Sequence, residues 1–189
     1  VDELLVGEGG LGVVVAPAQQ GVAGQAVQVP PVLLGVLGVV ALRAGQPDLA
    51  ERIGWAAEQG VRVFSFAGAP TKDAIARIHD AGALVVPTVG ARRHAEKMLE
   101  WGVDAVIAQG GEGGGHTGEV PTSLLLPQVV DAVGGQIPVL GAGGFHSGRG
   151  LVAALSYGAD GVAMGTRFLL TAESRVPESI KGHYTEASV

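Results

Sequence analysis

The stretch GVDAVIAQGGEGGGHTGEV, residues 102–120, joins the two kinds of sequence that decide the fold. Its first half is a short apolar run bounded by glycines, and valine-rich runs of this kind are typical of strands buried on both faces of a parallel sheet. Its second half, residues 109–120, is rich in glycine and carries one histidine, His116. Because ordering glycine costs backbone entropy, we expect this half to have a compensating role.

The apolar phrase between glycines recurs along the chain, and amphipathic patterns separate the copies. One of these patterns, PTKDAIARIHDAG at residues 70–82, has apolar residues at helical spacing, with Thr71 as a candidate N-cap and Gly82 as the stop signal. Strand and helix alternate about every 20 to 24 residues, which predicts repeated β/α units in either a closed barrel or an open doubly wound sheet. The further copies of the apolar phrase begin at Gly60, Gly82, Gly135 and Gly158.

One interval in this series is longer than the others. From Gly102 to Gly135 the excess is roughly ten residues, and it falls directly after a strand. The loops that follow the strands of a β/α barrel form its catalytic face. The glycine-rich half of the opening stretch is therefore predicted to be an enlarged loop on the functional face.

Two later strand ends predict a phosphate site. They read GAGGF at residues 141–145 and MGTRF at residues 164–168. Paired glycines let backbone amides approach an anion, a helix predicted to start near Ser147 adds its positive end, and the Thr166 hydroxyl can donate to the same anion. The sequence contains neither a P-loop nor a Rossmann fingerprint.

Three motifs together resemble the nitronate monooxygenase family, formerly called 2-nitropropane dioxygenases. They are Q-G-x-E-x-G-G-H-x-G at residues 109–118, PVLGAGG at 138–144 and GADGVAMGTRFL at 158–169. The resemblance extends over about residues 53–173. It implies an FMN-dependent TIM (β/α)8 barrel that oxidises alkyl nitronates with dioxygen to a carbonyl compound and nitrite.

The same resemblance implies the site residues. His116 would be the catalytic base that removes the α-proton of a neutral nitroalkane, or the group that orients the substrate. Histidine suits this task because its ordinary pKa lies near neutrality. The implied FMN contacts are Gln109, Gly114, Gly115, Gly143, Gly144, Ala163, Met164, Gly165 and Thr166.

Composition limits the other classes of function. The chain has 189 residues, a formal net charge of −6, no basic run and no cysteine, so we expect a single domain over residues 1–189, with no nucleic-acid partner and no disulfide. No apolar run is long enough to cross a bilayer, and no histidine pair has metal-ligand spacing, so no membrane role and no metal are expected. We expect a cytoplasmic protein, and the sequence leaves its oligomeric state open.

The first fifty residues fit the resemblance less well. Residues 13–24 resemble the family's first strand and residues 8–14 the start of its second, yet the two segments overlap, so both assignments cannot hold. Six or seven strand candidates are visible, and a complete barrel and one that is incomplete at its N-terminal end both stay open. Two other functions also stay open: an FMN-dependent enoyl-[acyl-carrier-protein] reductase and a non-catalytic flavin- or phosphate-binding fragment.

Other polar residues are given simpler interpretations. Glu112 is expected to be a solvated carboxylate or to anchor its loop rather than to act in catalysis, and Asp104 and Asp160 are expected to be structural because each stands at the start of a strand. Three histidines are interpreted as surface groups: His79, His94 and His183.

Overall fold

The chain forms an α/β fold in which strands and helices alternate. The computed structural model describes residues 5–6, 12–15, 39–42, 45–115 and 117–187. The strands are β1 (Leu5–Val6), β2 (Gly12–Val15), β3 (Val39–Leu42), β4 (Val63–Phe66), β5 (Leu84–Val89), β6 (Val106–Gln109), β7 (Val139–Ala142) and β8 (Gly161–Met164). The helices are α1 (Leu49–Glu58), α2 (Lys72–Asp80), α3 (Arg92–Glu100), α4 (Thr122–Val133), α5 (Gly148–Ser156), α6 (Thr166–Leu169) and α7 (Glu178–Glu186).

The order of the strands distinguishes between the two architectures that the sequence left open. Strands β3 to β8 are parallel, and each one pairs with the next in the chain. A doubly wound sheet would reverse its strand order at a switch point, whereas consecutive pairing is the arrangement of a β/α barrel. The predicted barrel class is therefore confirmed, as a parallel sheet curled like half of such a barrel.

The first two strands depart from the barrel pattern. β2 pairs with β8 in the antiparallel direction, and β1 pairs antiparallel with β2. In a complete barrel the first strand would run parallel to the last. Only residues 7–11 connect β1 to β2, which is too short for the crossover that parallel strands need. Residues 13–15 therefore run opposite to the direction that the first strand of a barrel would have, so they are not that strand. Residues 16–24, the rest of the segment that resembles it, lie outside the described part of the chain.

The core lies on both faces of the parallel strands, as the continuous apolar runs predict. All four residues of β4, β7 and β8 are buried. On the helical side, α2 buries Ala74, Ile75 and Ile78, while the Thr71 hydroxyl accepts a hydrogen bond from the Ala74 amide at 3.2 Å. The predicted N-cap of α2 is therefore confirmed.

Two aspartates fix neighbouring strands at the amino-terminal edge of the sheet. The Val85 amide donates to Asp104 Oδ2 at 2.8 Å, and the Asp104 amide donates back to the Val85 carbonyl. Asp160 and Val139 form the same reciprocal pair one repeat later. Burial raises the pKa of the Asp160 carboxyl, and the Val139 hydrogen bond opposes that shift. Both aspartates thus have the structural role expected from the sequence, at the edge opposite to the glycine-rich loops.

Candidate cofactor and substrate site

Two cavities lie at the carboxyl-terminal edge of the parallel strands. The first, of about 440 Å³, is lined by the loops that follow β6, β7 and β8, and we call it the β8-side cavity. The second, of about 520 Å³, is lined by the loops that follow β4, β5 and β6 and by α3, and we call it the β4-side cavity. Gln109, at the end of β6, lines both cavities. The edge predicted to be functional is therefore the edge that carries the cavities.

Most of the predicted cofactor contacts come together in the β8-side cavity. Met164 is an exception, because its side chain is buried at the end of β8 and does not line the cavity. Gly115 also lies outside the lining, and His116 lies outside the described residues. The predicted contacts that do line it are Gln109, Gly114, Gly143, Gly144, Ala163, Gly165 and Thr166.

The loop after β7 depends on two glycines in the left-handed backbone region. Gly143 has φ +93° and Gly144 has φ +78°, a region that side chains with a Cβ rarely adopt. A Cβ at position 143 would also lie 3.0 Å from the Gly110 carbonyl oxygen, the Gly113 nitrogen and the Thr122 hydroxyl. Glycine at position 143 therefore lets the loops after β6 and β7 pack backbone against backbone.

Two other glycines face open space inside the same cavity. A Cβ at Gly114 or Gly165 would meet no heavy atom within 4 Å. Both residues line the cavity, so a ligand in the cavity can approach their backbone without meeting a side chain. The cradle of open backbone at two loops, with the Thr166 hydroxyl beside it, fits the phosphate end of FMN.

The enlarged loop is held in place by a carboxylate at the start of α4. Glu112 Oε2 accepts hydrogen bonds from the Thr122 amide at 2.8 Å and from the Thr122 hydroxyl at 2.6 Å. The N-cap position of α4 is Pro121, which provides no side-chain cap, so Glu112 replaces the missing cap from ten residues upstream. The Thr122 hydroxyl and amide lower the pKa of the Glu112 carboxyl. Glu112 thus anchors its loop, as the sequence predicted.

Two positively charged or protonatable side chains line the β8-side cavity beyond those that the sequence predicted. Arg167 follows Thr166 directly, and among the described residues it forms no ion pair. His146 Nδ1 lies 3.3 Å from the Gly144 carbonyl oxygen, which can only accept, so the nitrogen is protonated in this hydrogen bond. The only sequence signal for Arg167 was its place in the MGTRF motif. Both side chains are exposed and complement an anion held by the glycines.

The β4-side cavity has a different lining. Ala67, Val89 and Met98 give it apolar surface, while His94 and Lys97 contribute nitrogen groups from α3. Among the described residues, no carboxylate lines this cavity. His94 is exposed, as predicted, but it also lines the cavity, which the sequence did not indicate.

Two expected absences concern metals and membranes. In the part of the chain that the structure describes, no group of three or more histidine, aspartate or glutamate side chains could hold a metal ion. None of the described helices has the length and apolar character needed to cross a membrane.

Comparison with known proteins decides the family. A family model described as nitronate monooxygenase matches residues 35–189. The chain belongs to the nitronate monooxygenase family. The resemblance carried by the three motifs is thereby confirmed and extended, and enzymes of this family are typically FMN-dependent oxidoreductases. The match covers β3 to β8 and both cavities.

Proteins with different activities in their names are similar to this chain. A (3aS,4S,5R,7aS)-5-hydroxy-7a-methyl-1-oxo-octahydro-1H-indene-4-carboxyl-CoA dehydrogenase of Mycobacterium tuberculosis is 58% identical over 151 residues, which cover 79% of this chain and 42% of that protein. A probable nitronate monooxygenase of Staphylococcus aureus is 38% identical over 128 residues, covering 62% of this chain and 35% of the relative. The chain thus spans less than half the length of these curated relatives.

A solved structure supports the fold assignment. FabK from Thermotoga maritima matches with a TM-score of 0.75 and 36% sequence identity, and the match covers 80% of this chain and 48% of that one. The match extends over most of this chain and agrees with the barrel class assigned from the order of the strands.

Proposed function

We propose that this chain forms the FMN phosphate site and part of the substrate site of a dehydrogenase that acts on a coenzyme A thioester of a bicyclic hydroxy acid. The observation that carries the proposal is the 58% identity over 151 residues to the M. tuberculosis dehydrogenase, against 38% over 128 residues to a probable nitronate monooxygenase. The region that matches the family model, residues 35–189, includes the loops that line both cavities. The substrate class of the more similar relative is therefore the better guide.

The β8-side cavity would hold the phosphate end of FMN. The backbone of Gly143, Gly144 and Gly165 and the Thr166 hydroxyl line it, and Arg167 adds a positive charge. FMN, when bound, supplies a two-electron acceptor for the hydride that the substrate loses. Gln109 stands between the two cavities, so it would separate the cofactor from the thioester and orient both.

His116 would remove the proton that leaves the substrate together with the hydride. The support for this role is the motif at residues 109–118, because His116 itself lies outside the described residues. Its neighbours Gly115 and Thr117 belong to the enlarged loop, and Thr117 lines the β4-side cavity. A neutral imidazole there would accept a proton at physiological pH.

The test begins with the visible spectrum of the chain after incubation with FMN and gel filtration. We expect retained flavin, and we expect its oxidised absorbance to disappear when the bicyclic hydroxyacyl-CoA is added without oxygen. His116→Asn should slow this reduction by roughly a hundredfold or more and leave FMN retention unchanged. His183→Asn, which alters an exposed histidine of α7, is the matched control. If wild-type chain retains flavin that the thioester does not reduce, the substrate proposal is refuted.

Nitronate oxidation is the second candidate, favoured by the probable nitronate monooxygenase at 38% identity and by the motif around His116. On this proposal the substrates are a nitroalkane or its nitronate and dioxygen, and the products are a carbonyl compound and nitrite. Adding ethylnitronate in place of the thioester in the same anaerobic experiment tests it. Flavin reduction by the nitronate alone would favour this candidate over the dehydrogenase.

A further inference from the structure

The β4-side cavity opens beside a group of basic side chains. His94 and Lys97 line the cavity from α3, and Arg93 lies on the same helix. Lys72, the first residue of α2, approaches from the neighbouring unit. We call these four residues the α3 basic face. Arg93, His94 and Lys97 are exposed, as is Lys72.

This face is positive although the chain as a whole carries a formal net charge of −6. The carboxylates nearest in sequence are already engaged, since Glu96 binds Arg92 at 2.8 Å and Asp73 binds Arg77 at 2.7 Å. Among the described residues, Glu100 forms no ion pair with Lys97. In the described part of the chain, none of the four side chains of the face forms an ion pair with a carboxylate.

One tryptophan ring lies close to two of these positive charges. The Lys97 ammonium lies 4.7 Å from the centre of the Trp101 ring, and the Lys72 ammonium lies 5.4 Å from the same centre. Trp101 is half-buried and packs against the hydrophobic core, so its position is fixed. Attraction to the ring restricts both side chains, while their like charges repel one another. An anion bound between them would relieve that repulsion.

We infer that the α3 basic face binds the phosphate groups of a coenzyme A moiety, while the pantetheine arm enters the β4-side cavity towards Gln109. This inference rests on the proposed coenzyme A thioester substrate. Lysine binds phosphate as a point charge, and Lys97 belongs to both the face and the cavity wall. The apolar lining and the absence of any carboxylate among the described lining residues suit the uncharged arm.

The test compares three ligands on the full chain: coenzyme A, 3′-dephospho-coenzyme A and pantetheine. Affinities are measured by calorimetry, and FMN retention is measured in parallel. In Lys72→Gln/Lys97→Gln we expect the affinity for coenzyme A to fall roughly tenfold or more, with pantetheine unaffected. The salt dependence of coenzyme A binding should weaken in the same variant.

The control variant is Arg52→Gln/Arg62→Gln, which removes two positive charges from exposed residues of α1 and of the segment before β4. It should bind coenzyme A as the wild type does. Equal coenzyme A affinity in the lysine variant and the wild type would overturn the inference, and so would an equal loss for pantetheine. A wild-type chain that retains FMN but binds no coenzyme A would also overturn it. Lysine-dependent coenzyme A binding without FMN retention would support the inference and refute the proposed function.

Discussion

Two glycines of the β8-side cavity should respond in opposite ways to the same substitution. Gly143 has φ +93°, and a Cβ there would lie 3.0 Å from one atom each of Gly110, Gly113 and Thr122. Gly165 has φ −92°, and a Cβ there would meet nothing within 4 Å. Both residues line the same cavity, and replacing either one by alanine adds one methyl group. The first change should disturb the fold, and the second should disturb only the ligand.

The magnitude for Gly143→Ala follows from two costs. Holding alanine in the left-handed region costs about 1–2 kcal/mol. Overpacking against the backbone of the loop after β6 adds about 1–3 kcal/mol. The free energy of unfolding should therefore fall by about 2–5 kcal/mol, which lowers Tm by roughly 4–20 °C in a domain of this size.

Gly165→Ala carries neither cost. Its stability should be unchanged or up to about 1 kcal/mol higher, because alanine restricts the unfolded chain. If FMN phosphate is held at this backbone, the methyl group should weaken FMN binding by roughly tenfold or more, the equivalent of one hydrogen bond to a charged group.

Thermal unfolding followed by circular dichroism measures the first effect, and quenching of FMN fluorescence on titration measures the second. An unchanged Tm for Gly143→Ala would refute the argument that backbone contact at this glycine holds the loops together. Unchanged FMN affinity for Gly165→Ala would show that the open backbone at residue 165 is not a cofactor contact, even if FMN binds elsewhere.

Three further changes test other parts of the structure. Thr122→Val removes the hydroxyl bonded to Glu112 and should reduce the free energy of unfolding at neutral pH, measured by urea denaturation. We expect a loss of only about 1 kcal/mol, because the carboxylate is exposed and solvent screens its interaction. Because the folded-state pKa of Glu112 is lowered from 4.5, this contribution is present above pH 4.5 and is lost as the pH falls through the lower value, so wild type and variant should converge in acid. Arg167→Met should weaken FMN binding roughly tenfold and leave riboflavin, which has no phosphate, unaffected in the same fluorescence titration; an equal loss for both would contradict a phosphate contact. The pKa of Asp160 is raised above 3.8, so its ionisation disfavours the folded state as the pH rises through that raised value. Asp160→Asn keeps an oxygen acceptor for the Val139 amide and should remove this pH dependence of the free energy of unfolding, measured by chemical denaturation. An unaltered dependence would show that another group causes it.

The sequence predicted the parallel β/α units of a barrel because the signals for them are local. Glycine-bounded valine runs and the Thr71 cap each depend on a few neighbouring residues, and consecutive β/α units leave little choice of topology. The antiparallel direction of β2 was not predictable in this way. Strand direction at the edge of a sheet depends on the connections and the pairing partner rather than on the strand's own residues.

The candidate site was predicted in part for the same reason. Backbone recognition requires glycine, so the residues that line the β8-side cavity were visible as a motif. The hydrogen bonds between Glu112 and Thr122 were not, because they form only when the loop folds back onto α4. Lys97 was missed because a lysine on a polar helix face has the same sequence pattern whether it meets solvent or a cavity.

The share of main-chain atoms in a cavity wall has a consequence for how the sequence around the cavity can change. Five glycines line the β8-side cavity and offer it only backbone, so exchanges of the side chains around them leave these amides where they are. The β4-side cavity is formed by side chains of α3 and of three loops, where each exchange alters shape or charge. On the proposed function, selection could therefore change the substrate preference on one side while the prosthetic group stays the same on the other.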